Sequence, residues 1–176
     1  MGVSKKAPEI GTLNEGALHA ALKRHYGGAE AQFEVPFSGF VADVVRDDTI
    51  FEIQTSSFSG LERKMRALAD QNPVVLVHPI AAQKNLVRIK DPASGDFTRR
   101  KSPKKGKLCH ILSELVYLPS FLNHPNFSVE VALIEEEQHS IYDPKARRGR
   151  GGWRTRGRHL VEPVSYTHLR AHETVV

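Results

Sequence analysis

An α/β fold with a mixed central sheet flanked by helices is predicted for this chain, and three observations carry the prediction. Segments of helical and strand periodicity follow one another in the order helix, three strands, helix, strand. One run, PVVLVHPI at residues 73–80, is apolar throughout, as a strand covered on both faces must be. The length, 176 residues, suits one ordinary hydrophobic core, and 40% hydrophobic with 26% charged residues is a globular composition rather than a disordered or membrane-embedded one.

The first helix is read from TLNEGALHAALKRHYGG (12–28). Leu18, Ala21, Leu22 and His25 share a face, Thr12 and Glu15 make a capping box, and Gly27 and Gly28 supply the stop. Residues 30–37, 40–45 and 49–55 are strand-like, separated by Ser38-Gly39 and Asp47-Asp48, and predict a meander. Ser59 and Glu62 form a second capping box, opening a helix to about Gln71. After the apolar strand, KNLVRI (84–89) predicts another strand, residues 107–122 an apolar helix, and FSVEVALIEEE (127–137) a strand with a polar end.

Residues 1–142 are thus expected to be one domain. From Asp143 the chain turns Arg- and Gly-rich, and 143–162 are expected to be a basic linker towards an interrupted C-terminal region. Val164 to Thr174, VSYTHLRAHET, resemble the in-frame translation of an adapter used in sequencing libraries. Residues 163–176 are accordingly set aside from the fold prediction.

There is no apolar run long enough for a bilayer and no secretory signal pattern, so a cytoplasmic protein without membrane contact is expected. A single cysteine, Cys109, excludes an intrachain disulfide framework and a cysteine-based zinc site. The net charge of +5 suits a polyanionic partner. It is concentrated in RRKSPKKGK (99–107) and KARRGRGGWRTRGR (145–158), each of which reads equally as a solvated loop or linker.

The chemistry is concentrated in FVADVVRDDTIFEIQTSSF (40–58). If Asp47-Asp48 is a two-residue hairpin turn, Arg46 pairs with Thr49, Val45 with Ile50, Val44 with Phe51 and Asp43 with Glu52. Strict alternation then puts Asp43, Val45, Ile50, Glu52 and Gln54 on one face. Two carboxylates opposed across a strand pair repel, and burying them unpaired costs several kcal/mol in order of magnitude. A divalent cation removes both objections, and hard oxygen ligands of this kind suit Mg²⁺. The alternative is that the two acids face solvent or pair with Lys or Arg.

With Glu15 on the first helix, Asp43 on the second strand and "EIQ" at 52–54 on the third, followed by a helix and a buried strand, residues 12 to about 90 resemble the PD-(D/E)xK, restriction-endonuclease-like superfamily. The IFEIQTSSF segment is similar to the nuclease domain of CoiA-type competence proteins. The resemblance implies an αβββαβ core and a Mg²⁺-dependent nuclease that cleaves phosphodiesters in DNA. It implies metal ligation by Asp43, Glu52 and the Ile53 carbonyl, with Glu15 nearby, although Glu15 also has its capping role.

Gln54 stands where the family's lysine usually sits; an amide orients water but supplies no charge. Lys64, inside the stripe of Leu61, Met65 and Leu68 on the second helix, is the candidate for that missing charge, its alternative being a stem that snorkels to solvent. Arg99, Arg100, Lys101, Lys104, Lys105, Arg147, Arg148 and Arg150 are the expected phosphate contacts. The competing functions are a catalytically inactive DNA-binding module of the same fold and an RNA-binding protein that uses the Arg/Gly-rich segment.

Overall fold

Leu18, Leu22 and Tyr26 recur every fourth residue, and that stripe is the buried face of the first helix, α1 (Ala17–Gly27), in the computed structural model, which describes residues 16–91, 95–145 and 150–169. His25, expected on the core face, is exposed; Tyr26 takes its place because a four-residue step continues the Leu18–Leu22 line. The Thr12–Glu15 capping box lies outside the described residues.

The meander follows as β1 (Gln32–Phe37), β2 (Phe40–Arg46) and β3 (Thr49–Ile53). Helix α2 (Glu62–Ala69) crosses over to β4 (Val74–Asp91), which lies parallel to β3. The N-cap of α2 is Leu61 without a side-chain cap bond, so the Ser59–Glu62 capping box does not form; Glu62 instead accepts from Arg66 and Ser120. The two predicted strands at 73–80 and 84–89 are one strand, β4, with a register shift between Ala81 and Gln83 in its pairing to β6.

β5 (Asp96–Lys101) returns antiparallel along the second half of β4. The helix expected over 107–122 is broken: a 3-10 turn Leu108–Ile111, one α turn α3 (Leu112–Leu115) and a second 3-10 turn Pro119–Phe121. Pro119 cannot continue a helix, and Ile111, Leu118 and Phe121, rather than one continuous stripe, are what the core takes. β6 (Phe127–Tyr142) then runs parallel to β4.

The last described element is β7 (Trp153–Leu169), antiparallel to β6 from Tyr142↔Trp153 to Val129↔Leu169. Residues 153–162 are therefore not a linker but part of the sheet. Arg and Gly are tolerated there because an edge strand has one open side and is commonly charged. The adapter-like stretch is not wholly outside the fold either: 163–169 continue β7, and the Tyr166 hydroxyl lies 2.7 Å from His25 Nε2. Main-chain pairing accepts any extended sequence, which VSYTHL is.

The sheet order is β1-β2-β3-β4-β6-β7, with β5 on the same edge of β4 as β3. On one face α1 covers Val44, Phe51, Ile53, Val75 and Val77. On the other, α2 and the broken helical segment cover Ile50, Val74 and Leu76 with Phe58, Met65, Leu68, Ile111 and Phe121. The 74–77 part of β4 is buried on both faces, as its unbroken apolar run predicts. Among the described residues no helix is long and apolar enough to cross a membrane.

Candidate active site

Asp47 and Asp48 adopt positive φ, 49° and 59°, the conformation a two-residue hairpin turn requires. The β2–β3 register is the predicted one: Arg46↔Thr49, Val45↔Ile50, Val44↔Phe51. One step further, at Asp43 and Glu52, the ladder stops and each carboxylate takes a main-chain N–H of the other strand. Asp43 N–H donates to Glu52 Oε1 (3.1 Å), and Ile53 N–H donates to Asp43 Oδ2 (2.8 Å). The acids thus occupy the place of the missing ladder carbonyls, which accounts for part of how buried carboxylates are tolerated here.

Alternation breaks at the same point. Ala42 packs in the core cluster on the α2 side and Val44 in the one on the α1 side, although they are two residues apart. Across β1, Glu34 has φ 54° and drops out of the ladder between Phe33↔Val44 and Val35↔Ala42. The expectation of five residues on one face is corrected accordingly. Val45 and Ile50 do share the α2 face, and Lys64 of α2 reaches Glu52, but Asp43 is met by His19 of α1, with Nε2 3.2 Å from Oδ2.

Lys64 lies on the core side of α2, beside buried Met65 and Leu68, and its Nζ is 2.6 Å from Glu52 Oε2. The four-carbon stem runs along apolar surface and delivers the ammonium to the end of β3 rather than to solvent. Sequence pattern alone does not single out His19; the available signal is its spacing of four residues from Glu15. Glu15 itself lies outside the described residues.

The two acids are electrostatically unequal. Burial and the neighbouring Asp43 charge push Glu52 up to about 7, against the opposing pull of Lys64 and of the Asp43 N–H. Burial would also raise Asp43, but the His19 hydrogen bond, the Ile53 N–H and the nearby His19 and Lys64 charges outweigh it and hold the carboxyl below its ordinary value. A neutral-prone acid beside an ionised one, with a cation in contact, is an arrangement typical of sites that exchange protons or bind cations.

Main-chain direction supplies a further donor. Ile50 and Gln54 give their N–H groups to β4 carbonyls, so by alternation the N–H and carbonyl of Ile53 face the β2 side, where the N–H already meets Asp43. Among the described residues no three of His, Cys, Asp and Glu converge as a metal cage. The oxygen donors at this break in the ladder are the two carboxylates, and the Ile53 carbonyl faces the same strand boundary.

Gln54 does not take the expected place. Its amide nitrogen donates to Ser57 O (2.6 Å) and Ser56 Oγ (3.1 Å), so the side chain folds over the loop that follows β3. That loop is pinned from three other elements. His78 Nδ1 donates to Gln54 O (2.7 Å), Arg158 of β7 donates to Thr55 O (3.0 Å), and Phe58 N–H donates to Glu114 of α3 (2.8 Å).

The basic residues divide. Arg99, Arg100 and Lys101 lie exposed on β5, Arg99 paired with Glu137 and Lys101 bonded to Gln83. Lys104 and Lys105 are exposed on the loop after β5. Arg147 and Arg148 lie outside the described residues, and the main chain of Arg150 opens the turn Arg150–Gly152 before β7.

Comparison with known proteins adds kinship but no chemistry. The family described as "Domain of unknown function (DUF8091)" matches residues 16–170. A curated protein of Treponema pallidum (strain Nichols), printed as "Uncharacterized protein", is 33% identical over 139 residues, which is 78% of this chain. The aligned part is 55% of that relative, so the chain spans about half its length. No solved structure matches.

Proposed function

We propose that this chain, which belongs to the Domain of unknown function (DUF8091) family, is a Mg²⁺-dependent nuclease of the PD-(D/E)xK type acting on DNA. The observation that carries the reading is the pairing of Asp43 and Glu52 where β2 and β3 part, with the Lys64 ammonium 2.6 Å from Glu52. The element order α1, β1 to β3, α2 and parallel β4 agrees with the αβββαβ core that the motif implies.

The residues fit a hard divalent cation. Asp43, Glu52 and the Ile53 carbonyl would hold it, each carboxylate having lone pairs beyond those its N–H donor occupies. When bound, Mg²⁺ supplies Lewis-acid polarisation of a phosphodiester and an acidified water. The chain's own groups do the rest. Lys64 sets a fixed positive charge where the phosphate's negative charge develops. His19 holds the Asp43 carboxylate in place, and the loop that follows β3 is held rigid by His78, Glu114 and Arg158.

A structural reading competes, because the ion pairs and N–H donors already satisfy much of both carboxylates without a metal. On that reading the chain is an inactive DNA-binding module. Single-turnover cleavage of single- and double-stranded DNA with and without Mg²⁺ separates the two. Mg²⁺-dependent cutting is expected in wild type, abolished in Asp43→Asn and Glu52→Gln and reduced about 100-fold or more in Lys64→Met, the usual scale for losing one charge-stabilising group. A wild-type protein that binds DNA but does not cleave it with Mg²⁺ would leave the module reading in possession.

A further inference from the structure

β3 pairs with β4 at residues 74–77 and β5 pairs with it from Asn85 to Asp91, so among the described residues no strand lies between them along residues 78–84 on the edge of β4 away from β6. A cavity of about 520 Å³ opens in that notch. Neither Asp43 nor Glu52 lines it, while His78, Glu114 and Arg158, which pin the 54–58 loop, do.

The lining is cationic and held in place. Lys84 and Arg158 both clasp Glu136, which is wholly buried behind them. Lys84 Nζ is 2.8 Å from Oε1, and Arg158 gives Nε and Nη2 to Oε2 at 2.9 and 2.6 Å. Oε1 meets Lys84 as an ion pair and has no well-directed hydrogen bond of its own.

Above them the loop 102–106 is tied to β4 at both ends, by Ser102 N–H to Lys84 O (2.8 Å) and Gly106 N–H to Ala81 O (2.7 Å). Gly106 is required there, since a Cβ would lie 2.4 Å from Ile80 Cγ2 and 2.7 Å from Ala81 O. The tied loop presents Lys104 and Lys105, exposed, to the cavity, and among the described residues neither pairs with an acid. Four cations, Lys84, Lys104, Lys105 and Arg158, therefore face Glu136 and Glu114, a surplus of two positive charges among the lysines, arginine and carboxylates of the lining.

We infer that this cavity is a phosphomonoester pocket for a nucleotide, borne by the end of a nucleic-acid strand or free. A phosphomonoester carries close to two negative charges at neutral pH, matching the surplus, whereas an internal phosphodiester carries one. The volume is that of a small-ligand site. Ser102 and Ser113 add hydroxyls to the lining. The strand-end form rests on the nuclease reading, because it has a terminus seated in the cavity while the chain backbone passes the carboxylates. The pocket itself does not.

The test is fluorescence anisotropy of the full chain, in EDTA, with a single-stranded DNA oligonucleotide bearing either a 5′-phosphate or a 5′-hydroxyl, competed by a nucleoside 5′-monophosphate and by inorganic phosphate. Phosphate in the pocket predicts a preference of about tenfold or more, the scale of hydrogen bonds to a charged group, for the phosphorylated strand or for the competing mononucleotide. That preference should vanish in Lys104→Ala/Lys105→Ala, two exposed positions whose loss leaves melting unchanged, and survive in Asp43→Asn. Competition by the mononucleotide at the strand's own affinity identifies the free nucleotide as the occupant; weak competition identifies the strand end. Equal affinity for both strands together with no mononucleotide binding would overturn the pocket, as would a preference that persists in the double variant. Because no divalent ion is present, the result is independent of whether the protein cleaves.

Discussion

Glu52 is protonated more readily in the folded chain than in the unfolded one, with burial and Asp43 raising it from 4.5 to about 7. Between those values the native state binds a proton that the unfolded state has released, so this contribution to stability is full below about 4.5 and falls as pH rises to about 7. The total loss is about 3 kcal/mol in order of magnitude, since each unit is worth about 1.4 kcal/mol. Glu52→Gln removes the titration. Thermal melts from pH 4.5 to 8 should show wild type losing ground to the variant across that window and holding level above it; parallel curves would mean Glu52 is not so perturbed. Asp43 acts with the opposite sign, its lowered value giving stability that disappears only in acid.

The same proton couples to metal. A cation held by Asp43 and Glu52 requires both ionised, so binding should release close to one proton below pH 7, and Mg²⁺ affinity should rise about tenfold per pH unit up to about pH 7 and then level. Isothermal titration in two buffers of different ionisation enthalpy measures the release directly. Binding with no proton release at pH 6 would place the metal elsewhere.

At the scale of elements, β7 supports the loop beside the site. Arg158 joins the wholly buried Glu136 of β6 to Thr55 O after β3, across 103 residues of sequence. Arg158→Met leaves Lys84 as the remaining cation on a buried carboxylate and frees the loop. A stability loss of about 3 kcal/mol is expected by urea denaturation, the scale of breaking one side of a buried ion pair. Arg154→Met is the control: Arg154 pairs with Asp143 at the surface, and its loss should cost less than about 1 kcal/mol. Equal effects would show that β7 only covers an edge.

For the whole molecule the net charge is +5, and exposed cations lie on β5 and on the loop that follows it, whose Lys104 and Lys105 line the cavity together with residues that pin the 54–58 loop. DNA binding is expected to weaken with salt, each phosphate contact adding about 0.7 to the log-log slope on a single strand and about 0.9 on a duplex. Neutralising Arg100 and Lys101 together should flatten the slope by roughly 1.4 to 1.8 on that basis. An unchanged slope would mean that strand lies off the path of the nucleic acid.

Local pattern determined much of this protein. The turn at Asp47-Asp48, the register of three residue pairs between β2 and β3, the doubly covered β4 and the core side of Lys64 all follow from nearest-neighbour periodicity, which is what strand and helix geometry impose on residues two to four apart. What periodicity does not contain was decided by tertiary structure. Alternation assumes an unbroken ladder, and the ladder breaks at Asp43, opposite Glu34 of β1 with its positive φ, where the acid meets His19 of α1. Gln54 was drawn off by a loop that His78, Glu114 and Arg158 shape, residues 24 to 103 positions away from their partners in it. The Arg/Gly stretch reads as linker by composition alone. Its residues from Trp153 onward pair with the open edge of β6, and an edge accepts a partner for its main chain, whatever its side chains.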